Sequence, residues 1–206
     1  MFYLVNMPRW LQAFFPKYTW KKSAIEKKIY LTFDDGPHPE HTIFVLNELR
    51  KVNAKATFFC IGKNVDLYPD TYNQILAEGH SVGNHTQNHL KGKNTSNEEY
   101  LENVNIASTK IKSNLFRPPY GSIKKSQAKL LLEQNPKMEI IMWTVLSADF
   151  DQNITKEKCL RNVLTNSANG SIVLFHDSDK AAERMNYALP IFLRKFNSKG
   201  FVFDTL

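Results

Sequence analysis

The sequence predicts an α/β chain closed into an irregular (β/α) barrel of about seven strands, and three observations carry that expectation. Short apolar runs alternate with amphipathic helical patterns, about seven such units fit into 206 residues, and no Pro-, Gly- or Ser-rich linker divides them. Alternating strands and helices call for a parallel sheet, and so many units in so short a chain favour a closed barrel over an open doubly wound sheet. A chain of this length lies within the range of one domain with a sizeable core, so one fold must carry the whole function.

The first strand is Lys28 to Phe33, where Ile29, Leu31 and Phe33 alternate with Tyr30 and Thr32 before the Gly36-Pro37 turn. A helix follows with Ile43, Leu46 and Leu49 on one face, and Ala56 to Ile61 is the second strand. Pro69 suits the first turn of the next helix, which Gly79 closes, and His80 to Asn84 is the third strand. Ser96 and Glu99 read as a capping box for a helix to about Ser113. Leu115 to Arg117 is a short strand stopped by Pro118-Pro119. Met138 to Val145, Ser171 to Phe175 and Phe201 to Phe203 complete the set, with helical patterns between them. Met1 to Ile25 is expected to be an appended segment packed on the barrel, its tryptophans and phenylalanines serving as packing.

Composition narrows the function. The formal charge of +7 comes from scattered lysine pairs such as Lys21-Lys22, Lys27-Lys28 and Lys124-Lys125, with no basic stripe, which argues against a nucleic-acid binder. No apolar stretch approaches the roughly 20 residues of a membrane span. The start lacks a basic region, apolar run and cleavage site in signal-peptide order, so a cytoplasmic location is expected, with export or attachment to the cell envelope left open. Cys60 and Cys159 fall in apolar patterns and read as small buried hydrophobes.

The polar residues fall at C-terminal strand ends. Asp34 and Asp35 end the first strand, and His85 and His89 follow the third. Arg117 and Tyr120 end the fourth, Asp149 follows the fifth, and His176 ends the sixth. Parallel barrels assemble active sites on that face. His85 and His89 have the spacing that puts two imidazoles on one side of a helical turn, and Asp35 is the natural third ligand of a metal site with room for water. Two adjacent carboxylates at the end of an apolar strand repel each other and lose hydration, which calls for a cation or an arginine nearby.

With these residues in place the chain resembles the polysaccharide deacetylases of carbohydrate esterase family 4, also called the NodB homology domain, over nearly all of residues 26–206. Thr32-Phe33-Asp34-Asp35-Gly36-Pro37 matches the T-F-D-D-G-P motif, and His85-Thr86-Gln87-Asn88-His89 matches H-[ST]-x-x-H. Arg117-Pro118-Pro119-Tyr120-Gly121 matches the third motif and Leu174-Phe175-His176 the fifth. The resemblance implies a distorted (β/α) barrel and a hydrolase that removes acetyl groups from N-acetylated oligo- or polysaccharides. It implies that Asp35, His85 and His89 hold a divalent metal, usually Zn²⁺, with Co²⁺, Ni²⁺, Mn²⁺ or Fe²⁺ as alternatives. It implies also that Asp34 is the general base held by Arg117, that the Tyr120 backbone N–H binds the oxyanion, and that His176, oriented by Asp149, protonates the leaving amine.

The fourth motif departs from the pattern. In Trp143-Thr144-Val145-Leu146-Ser147-Ala148-Asp149-Phe150 the family usually has Asp in place of Leu146 and Trp in place of Phe150, which bears on substrate detail more than on catalysis. His38, His41 and His80 match no ligand position and read as surface or supporting residues. Rival readings are a related hydrolase of a non-sugar linear or cyclic amide, an inactive glycan-binding module, and a non-haem iron oxygenase, the last leaving Asp34 and His176 without acid–base work. The oligomeric state has no signature in the sequence.

Overall fold

The computed structural model describes residues 3–206, with Arg9 through its backbone alone, so Met1 and Phe2 of the expected N-terminal segment lie outside the described residues. In chain order the first half comprises α1 (Arg9–Ala13), β1 (Tyr18–Thr19), β2 (Lys28–Asp34), α2 (His41–Lys51), β3 (Ala56–Cys60), α3 (Gly62–Leu67), α4 (Pro69–Ala77) and β4 (Ser81–Asn84). The second half comprises α5 (Asn97–Ser108), β5 (Leu115–Phe116), α6 (Lys125–Gln134), β6 (Glu139–Ile141), β7 (Val145–Leu146), α7 (Lys156–Asn166), β8 (Ile172–His176), α8 (Ala182–Asn197) and β9 (Val202–Phe203).

All strand pairs are parallel, in the order β1-β6-β5-β4-β3-β2-β8-β7, with β9 on β2. The run expected as one strand, Met138 to Val145, is broken into β7, which ends that path, and β6, which lies next to β1 at the other end. β6 pairs with β5 and β7 with β8, so one short stretch of chain links the two limbs of the curled sheet, with no strand pairing across the gap among the described residues. This is the distorted barrel expected from the sequence.

Period-two alternation on β2 sorts its side chains. Ile29, Leu31 and Phe33 are fully buried against Leu46 and Leu49 of α2 and Leu189 and Phe192 of α8. Each such side chain contributes roughly 1.5–3 kcal/mol relative to exposure. The opposite set includes Thr32 and Asp34, whose polar atoms meet Arg117 inside the sheet.

Local signals act where expected. Pro69 opens α4, and Gly79 follows it with a φ of 75°. The Ser96 hydroxyl accepts the Glu99 N–H at 3.2 Å, but α5 ends at Ser108, short of Ser113. Cys60 and Cys159 are free and buried.

The N-terminal segment is tied to the sheet: β1 adds to β6, Asn6 bridges Val145 and Lys21 bridges Ser171. Trp20 is buried and Phe15 stacks on Tyr18, yet Trp10 and Phe14 are 63% and 70% exposed, against the packing expected for all the aromatics. The two stand four residues apart, Trp10 in α1 and Phe14 at its C-cap, with their rings edge to face and both largely in solvent. Among the described residues no helix is long and apolar enough to cross a membrane.

Candidate active site

The C-terminal ends of β2, β4, β5, β7 and β8 gather every residue expected from the sequence. Asp34 is the last residue of β2, and Arg117 follows β5, anchored by its N–H to Asn84 O at 3.0 Å. Arg117 is fully buried with its guanidinium committed on every side. Nη1 donates to Asp34 Oδ1 at 2.8 Å and to Thr32 Oγ1 at 2.7 Å, Nη2 to Met142 O at 2.9 Å, and Nε to Ile141 O at 3.3 Å. Its plane lies 4.1 Å from the Phe59 ring. Burial pulls the guanidinium pKa down and Asp34 opposes that shift, so the pair is held by mutual need.

Asp35 takes a φ of 83°, in the left-handed region that Asp tolerates better than most residues. Its Oδ1 is buried without a hydrogen-bond partner, 3.2 Å from His89 Nε2 but out of line with it, and 3.7 Å from His85 Nε2. The three donor atoms lie within 4.8 Å of one another. Burial alone would raise the Asp35 pKa, yet His89, His176 and His85 hold it well below the usual carboxylate range.

His85 and His89 do not converge on a helical turn. Residues 85–89 form a loop in which Thr86 and His89 have φ of 64° and 56°. The loop is fixed by backbone bonds from Gly62 N to Thr86 O and from Lys63 N to Gln87 O, both 2.9 Å, and by Asn88 N to Asn103 Oδ1 at 2.9 Å. His85 Nδ1 lies 2.7 Å from Arg117 O. A carbonyl only accepts, so Nδ1 carries the proton and the Nε2 lone pair faces Asp35. Burial pulls the His85 pKa down to about 4, outweighing nearby Asp34, and keeps the ring neutral. An orphaned carboxylate oxygen beside two imidazole nitrogens, one with a fixed lone pair, fits a divalent cation.

His176 ends β8 as the register partner of Asp34. Asp149, fully buried, takes its backbone N–H on Oδ2 and its Nδ1 on Oδ1, both at 2.7 Å, leaving Nε2 unengaged by that carboxylate. Burial opposes an imidazolium here, but Asp149, with smaller contributions from Asp35 and Asp34, outweighs it and raises the His176 pKa to about 9. Asp149 is itself fixed by Ser147 Oγ on its N–H at 3.2 Å and by Arg184 Nε on its carbonyl at 2.6 Å.

Around the site, Tyr120 adopts a φ of 59° and is 58% exposed, its ring 4.6 Å from that of His89. Phe150 stands edge-on to His176 at 5.3 Å and to Tyr3 at 5.5 Å. Leu146 lies buried in the apolar cluster with Phe59, Trp143 and Leu174.

Several residues near the site have no counterpart in the sequence reading. Asp177 accepts the Gly36 N–H at 3.0 Å and the Thr42 hydroxyl, and burial pushes its carboxyl up to about 8. His38 and His41 stack at 4.3 Å, and both reach Asp179 Oδ1, at 3.4 and 2.9 Å. Of the two alternatives expected for these histidines, surface or supporting, the buried His41 and His80 take the second, His80 accepting the Ala56 N–H on Nδ1. Apart from the local His38–His41 stack, these contacts join residues far apart in sequence, and nothing in the spacing marks them.

Residues 21–137 match the family model described as polysaccharide deacetylase. The chain is 37% identical over 194 residues to a peptidoglycan-N-acetylglucosamine deacetylase of Bacillus cereus, covering 91% of this chain and 90% of the relative. It is 34% identical to a chitooligosaccharide deacetylase of Azorhizobium caulinodans, covering 76% of this chain and 78% of that protein. The crystal structure of the Bc1960 peptidoglycan N-acetylglucosamine deacetylase in complex with 4-naphthalen-1-yl-N-oxidanyl-benzamide superposes with a TM-score of 0.87 at 30% identity, covering 97% of this chain and 95% of that one. By its barrel, its motifs and these likenesses, the chain belongs to the polysaccharide deacetylase family, whose members are metal-dependent hydrolases.

Proposed function

We propose that the protein hydrolyses the acetamide of N-acetylated sugar residues in a peptidoglycan-like glycan, releasing acetate and leaving the amine. The observation that carries this reading is the meeting of Asp34 with Arg117, Asp35 with His85 and His89, and Asp149 with His176 at one end of the sheet. Asp35, His85 and His89 hold a divalent cation, with Zn²⁺ the first candidate for an N₂O donor set. Such a cation supplies Lewis-acid chemistry, acidifying water and polarising an amide carbonyl. The hydroxamate in the Bc1960 complex is a chelating group, which supports that assignment for the related site.

The chain's own residues supply the rest. Asp34, oriented by Arg117, accepts a proton from the attacking water. The Tyr120 N–H donates to the carbonyl oxygen as negative charge develops there. His176, protonated through its pairing with Asp149, delivers a proton to the departing nitrogen. Residues 26–206 constitute the catalytic domain, and Met1 to Ile25 a supporting segment. Acetate release from defined N-acetylglucosamine oligomers, with and without prior chelation, tests the reading. Turnover that survives complete metal removal would sink the mechanism, and turnover on simple amides alone would favour the non-sugar hydrolase.

A further inference from the structure

The proposed chemistry leaves Asp177 without a task, although it is fully buried beside His176. Burying a carboxyl is costly unless its oxygens are engaged, and removing it for an apolar residue is often neutral or stabilising, so its presence calls for a reason beyond packing. Its partners lie in the turn that carries Asp35. Oδ1 accepts the Gly36 N–H at 3.0 Å, and Oδ2 takes the Thr42 hydroxyl. Thr42 Oγ1 in turn accepts the His38 N–H at 2.8 Å. The Asp177 N–H donates to Asp34 O at 3.1 Å, so one residue grips the turn on both sides of Asp35.

Three further contacts show how tightly that turn is held. A Cβ added to Gly36 would lie 2.3 Å from Asp177 Oδ2, so the carboxylate occupies the space a side chain would need. From the other side, Asn64 Nδ2 donates to Asp35 O at 2.7 Å and Ile61 N to Gly36 O at 2.9 Å. Asp35 therefore keeps its left-handed backbone between two sets of bonds, with Oδ1 directed at His85 and His89.

We propose that Asp177 is a positioning residue for the metal centre, fixing through Gly36 and Thr42 the turn from which Asp35 presents its ligand oxygen. This rests on the reading of Asp35, His85 and His89 as a cation site. Co²⁺ titration of the purified protein, read by dissociation constant and visible absorption spectrum, tests it, with melting temperature reporting the fold. Asp177→Ala is expected to weaken Co²⁺ binding by about 10- to 100-fold and to alter the spectrum, the usual scale for losing a group that orients a ligand. Asp177→Asn should restore both, because its amide oxygen can take the Gly36 N–H while its NH₂ donates to Thr42 Oγ1.

A folded Asp177→Ala protein with wild-type affinity and spectrum overturns the inference, as does an Asp177→Asn protein impaired as much as the alanine variant. Should Asp177→Ala fail to fold, Thr42→Val removes the hydroxyl's bonds to Asp177 and to the His38 N–H while Asp177 keeps Gly36, and a smaller loss in the same direction is expected; wild-type Co²⁺ behaviour of that variant is equally fatal. Wild-type protein that binds no Co²⁺ removes the proposed centre itself, and this inference with it.

Discussion

Asp34 and His176 are register partners across the parallel ladder of β2 and β8. Neighbouring strands lie about 4.8 Å apart with paired side chains on the same face, so the proposed base and acid owe their proximity to sheet pairing. A slip of one residue would send one of them to the opposite face. The ladder fixes the two proposed proton-transfer groups, while loops supply the proposed cation site.

The adjacent aspartates should separate cleanly on mutation. Asp35→Ala removes the orphaned oxygen between His85 and His89 and should abolish both metal binding and activity. Asp34→Asn leaves that donor set intact and should keep the metal while kcat falls by about 10²- to 10⁴-fold. Metal content by elemental analysis beside kcat decides it, and equal metal loss in both variants would refute the division of roles.

Arg117 is expected to be a stability residue as much as a functional one. Arg117→Ala leaves Asp34 buried without its charge partner and should cost about 3–5 kcal/mol, read by urea unfolding. Arg117→Lys keeps the charge but cannot reproduce contacts to Thr32, Asp34, Ile141 and Met142 together, so it should recover only part of the stability and turnover. A wild-type unfolding midpoint for the alanine variant would show the pair to be dispensable.

Much of this arrangement was legible in the sequence because strand ends were. The alternation of Lys28 to Phe33 defined β2 and placed Asp34 and Asp35 at its end, and the same reading placed Arg117 and His176. The break of Met138 to Val145 into two strands with different partners was not legible, since it depends on which strands flank each half. Nor was the conformation of residues 85–89: four-residue spacing suits a helical turn, but left-handed Thr86 and His89 reach the same convergence through a loop. Asp177, Thr42 and Asp179 escaped because their partners are long-range and no local pattern encodes them.

Chain length of the substrate should matter. Tyr120 is exposed beside the histidines and Phe150 stands beside His176, giving sugar rings apolar faces on either side of the reacting group. Oligomers should therefore show higher kcat/KM than the N-acetylglucosamine monomer, because remote contacts position the acetamide. Tyr120→Ala should raise KM for oligomers more than for the monomer. A monomer preference in the wild type would contradict the polymer assignment.

The pH profile should carry the signature of the His176–Asp149 pair. His176 must be protonated to serve as the acid, and Asp149, at 2.7 Å, with smaller contributions from Asp35 and Asp34, outweighs burial to raise its pKa to about 9. Activity should thus persist through neutral pH and fall on the alkaline side as the ring loses its proton. A cation held at Asp35 opposes the imidazolium, so in the loaded enzyme this limb lies at or below that value. The stability linkage has the same sign: the folded pKa exceeds the ordinary histidine value of about 6.5, so the contribution is complete below that pH and is lost as pH rises through about 9. Asp149→Asn should move the basic limb to lower pH and leave metal content unchanged, and His176→Ala should cut kcat by about 10²- to 10⁴-fold. A purely structural role for the pair gives a different pattern, with lower melting temperatures but near-normal turnover in the folded fraction. Profiles of kcat for the wild type and Asp149→Asn, taken beside thermal melts, separate the two, and a basic limb that stays in place would remove Asp149 from the mechanism.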